Sequence, residues 1–341
     1  MIKSRRRFIA TASAGALTVL TAPSLFAQEK KSITVMMWGS TWSGVFQSLA
    51  EQFTKETGIG VQVQTEATSV EGLVKLQAMR ANPTVDVWFT AESLADRAAT
   101  DKSLFAPMPK AKMSNWNQTI PGATNDYFAA SYYFPLGIVY RPDLVPGGVI
   151  TSWSDLWSPA FAGKAALPAP SAYPGRMILT LALLNGGSID NVAPGIRKIK
   201  EIKDKIGMFY TSDPQTRRAL ASGEIWAMVG PPSAMKTLSD QGVKVAMVSP
   251  KPTSIIFEGM MLVKGGKEDL AAQFVNHVIS KEWQQVVTDT YNMGPINKNA
   301  VPGEKIRAGL PKPGDGVTFN EVTINERLSS WTDQFNNVIA S

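Results

Sequence analysis

Residues 33–38 have the sequence ITVMMW, an apolar run with β-branched residues that Gly39 ends. A short run of this kind predicts a buried strand. Strands and helices then alternate, with predicted strands at 61–64 and 85–89 and predicted helices at 45–57 and from Ser69 onward. Close alternation of strands and helices predicts a parallel sheet in an α/β fold.

The remainder of the chain repeats this alternation. Predicted strands lie at 134–140, 164–168, 225–229, 243–248 and 255–263, and predicted helices lie at 153–157, 177–184, 196–206, 215–221 and 270–291. Two such series predict two α/β lobes, each with a mixed and mostly parallel sheet flanked by helices, joined by two crossover strands. The predicted boundaries are 28–137 and 256–300 for the first lobe, 138–255 for the second lobe, and 301–341 for a C-terminal helical segment.

The composition limits the chemistry that the chain can perform. Of its 341 residues, 44% are hydrophobic and 18% are charged, which is the composition of a folded protein with a buried core. Cysteine is absent, and this excludes disulfides, thiol nucleophiles and cysteine-ligated metals. His277 is the only histidine, so a multi-histidine metal site lacks its ligands and a catalytic triad could use only that residue. We therefore expect no catalytic residue, no metal site and no cofactor, and a structural role for His277.

The first 27 residues have the three-part layout of a bacterial export signal. Lys3 and Arg5 to Arg7 precede an uncharged stretch, and Ala27 is a small residue suited to cleavage. The paired arginines predict the twin-arginine export route and a final location in the periplasm. The full chain has 34 basic and 28 acidic residues, so the loss of these four basic residues leaves a net charge of only +2. A nucleic-acid partner is not expected, because it would require a clustered basic face.

Six segments resemble, in order along the chain, the motifs of one known family. They are 53–59 (FTKETGI), 85–87 (VDV), 137–143 (GIVYRPD), 152–164 (SWSDLWSPAFAGK), 221–226 (ASGEIW) and 294–300 (GPINKNA). In these segments the chain resembles the periplasmic solute-binding proteins of bacterial ABC importers, in particular the group that includes the spermidine/putrescine binders. The resemblance covers most of residues 33–300.

The resemblance implies a type II periplasmic-binding-protein fold of two lobes, with a small-molecule ligand held in the cleft between them and a hinge that closes on binding. It also implies an ABC importer permease in the membrane as the partner. We expect a monomer that captures and releases its solute chemically unaltered. Three alternatives stay open: a polyamine or other organic-cation binder of the same fold, a chemosensory or scaffold protein, and an exported hydrolase.

Candidate ligand contacts follow from the rule that α/β sheets bind ligands outside the carboxyl ends of their strands. Helices that begin there also direct backbone N–H groups at the ligand. The candidate ligand-binding residues are Trp38, Ser40, Thr41, Thr90, Tyr173, Arg176, Pro231 and Glu258. Among them, Trp38 can stack on a ligand or cap the core, and Ser40 and Thr41 can donate hydrogen bonds to a ligand or cap the following helix.

Arg176 and Glu258 decide which class of ligand is expected. Arg176 stands at the start of a predicted helix, where it can hold an anionic group or pair with a protein acid. Glu258 lies in an apolar strand and needs a partner there, either a ligand cation or a protein arginine. The chain departs from the polyamine binders, because their acidic residues at the start of the second-lobe helix and their Trp-x-Asp after the second crossing are missing. We therefore expect a small carboxylate or zwitterion, with Arg176 on its acid group and Glu258 on an amine if one is present.

Overall fold

The computed structural model of the chain describes residues 31–39, 41–311 and 314–341. The predicted export signal at 1–27 lies outside the described residues. The described chain forms two β-sheets with flanking helices, as the alternation in the sequence predicts. Within these ranges, no helix has both the length and the apolar character needed to cross a membrane.

The regular elements follow one another in close succession. The strands are β1 (Ser32–Trp38), β2 (Gly60–Glu66), β3 (Val87–Ala91), β4 (Phe105–Ala106), β5 (Ala129–Pro135), β6 (Gly137–Tyr140), β7 (Ala165–Pro168), β8 (Met208–Tyr210), β9 (Ala227–Gly230), β10 (Ala246–Val248), β11 (Thr253–Val263) and β12 (Gly316–Val317). The α-helices are α1 (Thr41–Thr57), α2 (Ser69–Ala78), α3 (Glu92–Ala98), α4 (Arg176–Leu184), α5 (Ala193–Ile202), α6 (Asp213–Ser222), α7 (Pro232–Asp240), α8 (Glu268–Val278), α9 (Lys281–Tyr291), α10 (Glu304–Arg307) and α11 (Glu321–Ala340).

The first sheet has the strand order β12-β11-β3-β1-β2, and β4 and β5 pair with β11 as well. Strands β2, β1 and β3 are parallel, whereas β11 runs antiparallel to β3, β4 and β5. The second sheet has the order β10-β6-β9-β7-β8, in which β8, β7 and β9 are parallel and β6 is antiparallel to β9 and β10. We call the first sheet with its helices the first lobe, and the second sheet with its helices the second lobe.

The chain passes from the first sheet to the second at Leu136 and returns between β10 and β11. The single strand predicted at 134–140 is therefore wrong, because β5 and β6 belong to different sheets. Gly137 permits the crossing, since a Cβ at this position would lie 2.7 Å from the carbonyl oxygen of Val248. The two crossing segments thus run side by side where the lobes meet.

Two other differences from the predicted elements have clear local causes. The helix predicted at 270–291 is two helices, α8 and α9, because the hydroxyl of Ser280 accepts a hydrogen bond from the backbone N–H of Trp283 and caps a new helix. Helix α7 was not predicted, and Pro232 occupies its first position. Proline is suited to that position, because the first N–H of a helix has no partner within it. Strand β8 and helix α3 were not predicted.

Each sheet has its own hydrophobic core. The first is centred on large buried side chains such as Trp88, Phe89 and Phe274, and the second includes Leu167 and Ile178. The C-terminal helix α11 belongs to the second core, where it buries Ile324, Trp331 and Phe335. Gly175 lies directly under the ring of Trp331, and a Cβ there would be 2.8 Å from the ring. Helix α11 is therefore fixed to the second lobe by close packing.

Candidate functional site

The parallel strands of both sheets end near the place where the two lobes meet. In the first lobe β1, β2 and β3 end at Trp38, Glu66 and Ala91. Crossing strand β11 carries Glu258 opposite Ala91 of β3 and Tyr132 of β5. This arrangement brings the carboxyl edge of the first sheet together with the segment before α4 of the second lobe.

A cavity of about 180 Å³ lies at this junction. Its lining comes from both lobes and from the C-terminal helix: Ala91, Glu92, Ser93, Phe134, Ala172, Tyr173, Pro174, Arg176, Ile256, Glu258 and Glu321. Three of these side chains are carboxylates and one is a guanidinium. The cavity is thus a small site with a few convergent charged groups, which is the usual form of a site for a small molecule.

Glu258 is held by a tyrosine. The hydroxyl of Tyr132 on the neighbouring strand donates a hydrogen bond to Oε2 of Glu258. Burial raises the pKa of Glu258 to about 7, although the hydrogen bond from Tyr132 acts in the opposite direction. The sequence left a ligand cation and a protein arginine open as the partner of this carboxylate, and the protein partner is a tyrosine hydroxyl.

Arg176 is paired within the protein. Its Nη2 donates to Oε1 of Glu321 on α11, and the two side chains are only 3% and 1% exposed. The guanidinium also lies over the ring of Phe319, 5.6 Å from its centroid. Nε and Nη1 of Arg176 and Oε2 of Glu321 have no hydrogen-bond partner among the described residues. Of the two interpretations of Arg176, the protein pair is present, and the contact with a ligand acid stays a prediction.

Glu92, the first residue of α3, adds a further carboxylate beside this pair. Its pKa is raised to about 8, first by burial and then by the negative charges of Glu321 and Asp96, while Arg176 lowers it. Burial also raises the pKa of Glu321. The single guanidinium therefore has more acidic groups around it than it can neutralise, and protons bound to the carboxyl groups neutralise part of the excess negative charge.

Tyr173 completes the second-lobe side of the cavity. Its hydroxyl donates a hydrogen bond of 2.6 Å to Oδ2 of Asp213, the first residue of α6. Burial raises the pKa of Tyr173 well above its usual value, and the charges of Asp213 and Glu258 act in the same direction. The tyrosine hydroxyl therefore stays protonated and lies within electrostatic reach of acids from both lobes.

The remaining predicted contacts do not line this cavity within the described residues. Trp38 donates from Nε1 to the hydroxyl of Ser69 at 2.7 Å and packs edge-on against Phe89. Thr90 is buried in β3, and its hydroxyl has no partner among the described residues. Pro231 is buried immediately before α7. Ser40 and the side chain of Thr41 lie outside what the structure describes, although the backbone of Thr41 begins α1.

His277 is placed away from this cavity, at the end of α8. Its ring packs against Phe53, and Nδ1 lies 3.4 Å from a carboxylate oxygen of Glu56. Burial lowers the pKa of His277. No cluster of three or more histidine and acidic side chains suited to a metal occurs in the described part of the chain.

Sequence reasoning missed Glu321 and Asp213. Glu321 is 145 positions from Arg176, and only the packing of α11 brings the two together. Asp213 is the first residue of a helix, where an acid is also the ordinary choice for stabilising a helix N-terminus. Neither residue carries a local signal that would distinguish a site residue from a surface acid.

Comparison with known proteins places this architecture among binding proteins. The family model described as "Bacterial extracellular solute-binding protein" matches residues 48–310. The chain is 23% identical over 317 residues to spermidine/putrescine-binding periplasmic protein 1 of Haemophilus influenzae, a match that covers 88% of this chain and 84% of the relative. It is 25% identical over 312 residues to a periplasmic protein of Salmonella typhimurium provisionally named as 2-aminoethylphosphonate-binding, with 84% and 86% covered. The crystal structure of an ABC transporter protein from Clostridium perfringens superposes with a TM-score of 0.76 at 25% identity, over 90% of this chain and 99% of that one.

Proposed function

Because this chain belongs to the bacterial extracellular solute-binding proteins and is the solute-binding component of an ABC transporter, we propose that its solute is a small zwitterion that carries an ammonium group. The proposal narrows the class expected from the sequence, which also included plain carboxylates. Relatives named for binding spermidine and putrescine or 2-aminoethylphosphonate support an ammonium group in the solute.

One observation carries the proposal: the cavity has three carboxylates and a single guanidinium, and Glu321 already pairs with that guanidinium. A plain carboxylate solute would add a further negative charge to a desolvated space that already holds more acidic groups than cations, which is unfavourable without a new cation. An ammonium group is the complementary charge for Glu258 and Glu92. The unused Nε and Nη1 of Arg176 provide donors for an acid group on the same solute.

We propose four residues as the centre of the site. Glu258 and Glu92 would hold the ammonium, Arg176 the acid group, and the ring of Tyr173 would cover the solute from the second lobe. We also keep the other residues predicted from the sequence as proposed contacts in the closed form: Trp38, Ser40, Thr41, Thr90 and Pro231.

The mode of action follows from the position of the cavity between elements of both lobes. The solute would bridge the lobes and favour their closed arrangement, because it contacts both of them only when they are together. The closed form would be delivered by a monomer to the ABC permease in the membrane, and the solute released chemically unaltered. We propose the periplasm as the location, reached through the twin-arginine-like signal at 1–27.

The proposal is tested by calorimetric titration with four probes: 2-aminoethylphosphonate, 4-aminobutyrate, putrescine and glutarate. We expect the two zwitterions to bind, glutarate to bind at least about tenfold more weakly, and mass spectrometry to recover every probe unchanged. Tight binding of glutarate together with no binding of any amine would contradict the proposal.

The second candidate is a cationic solute, for which the relative from Haemophilus influenzae is named. The acidic excess of the cavity is compatible with a diamine, but the diamine leaves the free donors of Arg176 unused. Putrescine binding more tightly than both zwitterions in the same titrations would favour this candidate.

A further inference from the structure

The structure points to Glu321 as a specificity-determining residue of the cavity. We infer that its carboxylate neutralises Arg176 and thereby makes the cavity select solutes that carry an ammonium group over solutes whose charge is acidic. The inference rests on the proposed function for the class of solute, and it assigns part of the selectivity to the C-terminal helix rather than to either sheet.

The position of Glu321 is fixed by the fold. It is the first residue of α11, and Asn320 caps the helix by accepting a hydrogen bond of 3.0 Å from the backbone N–H of Thr323. Three turns of the same helix are anchored in the second core through Ile324, Trp331 and Phe335. A carboxylate held in this way contributes a fixed charge to the cavity wall, and it requires no reorganisation when a solute enters.

The charge of Glu321 reaches the other ionisable groups of the cavity. It raises the pKa of Glu92, whereas Arg176 lowers the pKa of the same residue. The pair is almost fully buried, so water and salt screen its charges weakly. Removing one charge here should therefore change the affinity for every charged solute, in opposite directions for cations and for anions.

A buried ion pair can also serve the fold alone. Two features distinguish this pair from a purely structural one. Both partners line the cavity, and each keeps polar atoms that no described residue satisfies: Nε and Nη1 of Arg176 and Oε2 of Glu321. Buried polar atoms without partners are uncommon, and at a cavity wall a bound solute can satisfy them.

The test compares wild type with Glu321→Gln by calorimetry, using putrescine and 2-aminoethylphosphonate as probes. The measured quantity is the ratio of the two dissociation constants. We expect the variant to shift this ratio about tenfold toward 2-aminoethylphosphonate, because the diamine loses an attractive charge and the acid group gains an unpaired guanidinium. An unchanged ratio, with both affinities lowered equally, would overturn the inference.

Glu321→Gln leaves a buried guanidinium without a counterion, and that change alone can prevent folding. In that case the same ratio is compared between Arg176→Gln and the double variant Arg176→Gln/Glu321→Gln. In Arg176→Gln, Glu321 is a buried carboxyl without its cation, so this comparison is made at a pH at which its ¹³C carboxyl shift shows that it is ionised. The step to the double variant then removes one negative charge, and neither variant contains an unpaired buried arginine. A shift toward 2-aminoethylphosphonate supports the inference, and no shift overturns it.

A second readout needs no solute and separates this inference from the proposed function. The side-chain carboxyl carbon of Glu92 is titrated by ¹³C NMR in wild type and in Glu321→Gln, or in the Arg176→Gln and double variants. We expect a lower pKa for Glu92 when the Glu321 charge is absent. If no probe binds the wild type, the proposed solute class is wrong, and the Glu92 titration alone then tests the role of Glu321. A lower pKa of Glu92 without the Glu321 charge supports that role, and an unchanged pKa overturns it.

Discussion

The hydroxyl of Tyr132 on β5 donates a hydrogen bond to the carboxylate of Glu258 on β11, so two adjacent strands of the first sheet hold this carboxylate at the cavity. Glu258 is thereby oriented before any solute arrives. The hydrogen bond also favours the ionised form of the carboxylate, which is the form that an ammonium group requires.

Replacing Tyr132 by Phe removes this donor and retains the ring. We expect binding of 2-aminoethylphosphonate to weaken by about 1 kcal/mol, because Glu258 loses its orientation and becomes harder to ionise. Calorimetry at pH 7 measures the effect. Tyr133→Phe is the matched control, because Tyr133 is the next residue in the same strand and pairs with Phe257 rather than with Glu258. Equal losses in both variants would argue against the role of the Tyr132 hydroxyl.

Binding should depend on pH in a defined direction. The pKa values of Glu258 and Glu92 are raised to about 7 and about 8, so both carboxyls are largely protonated near pH 6 and increasingly ionised toward pH 8. An ammonium solute binds the ionised forms, so its affinity should rise by about tenfold over this interval and binding should release protons. The proton release is measured from the dependence of the calorimetric enthalpy on the ionisation enthalpy of the buffer. It should diminish in Glu258→Gln, and affinity that falls with pH would contradict the assignment.

The free energy of unfolding of the solute-free protein should change in the opposite sense. Glu66 is 3% exposed, and burial raises its pKa from 4.5 to about 7 despite a hydrogen bond from Trp88. The folded chain therefore binds more protons than the unfolded chain between these values. Stability is then lost as the pH rises through this window, by on the order of 1–3 kcal/mol. Urea unfolding at pH 5 and pH 8 measures the loss, which Glu66→Gln should reduce and Glu51→Gln, an exposed control, should not.

Gly175 is a position where both backbone and space require glycine. Its φ is +64°, and a Cβ would lie 2.8 Å from the ring of Trp331. Gly175→Ala should therefore lower the free energy of unfolding by about 2–4 kcal/mol, from the left-handed backbone and the displaced ring together. Gly186→Ala is the control, because Gly186 has φ of +77° and no atom within 4 Å of the added methyl group. In this control, urea unfolding should show a smaller loss in the free energy of unfolding, about 1–2 kcal/mol. Equal losses would show that the contact with Trp331 does not matter.

The C-terminal helix also reaches the first lobe. Nδ2 of Asn325 donates to the backbone carbonyl of Ser93 at 2.7 Å, while the same helix is anchored in the second core. Asn325→Ala should weaken solute binding by about 1 kcal/mol, because it removes a hydrogen bond that joins the lobes. Small-angle scattering of the solute-free protein should show a larger radius of gyration. Asn336→Ala, an exposed change on the same helix, should alter neither quantity.

The sequence was sufficient for most elements whose pattern is local. The run ITVMMW marks β1, and the short helix predicted at 153–157 is present, with Ser152 and Asp155 forming a capping box at its start. What it could not show depends on tertiary contacts. The passage from β5 to β6 lies inside one apolar run, and only the packing against β10 reveals that the two strands belong to different sheets.

Part of the candidate site could likewise be predicted from local sequence, and part depends on tertiary contacts. Tyr173, Arg176 and Glu258 were singled out from their positions near strand and helix ends, and the three line one cavity. The pairing of Arg176 was beyond reach, because Glu321 lies in a segment that the sequence described only as helical. Whether each candidate contacts a solute stays a prediction for the titrations described above.

The placement of Glu321 on a helix that belongs to neither sheet has a consequence for evolution. A substitution in α11 can alter the charge of the cavity wall without changing a strand of either sheet. Related proteins with the same strands can therefore diverge in the solute that they take.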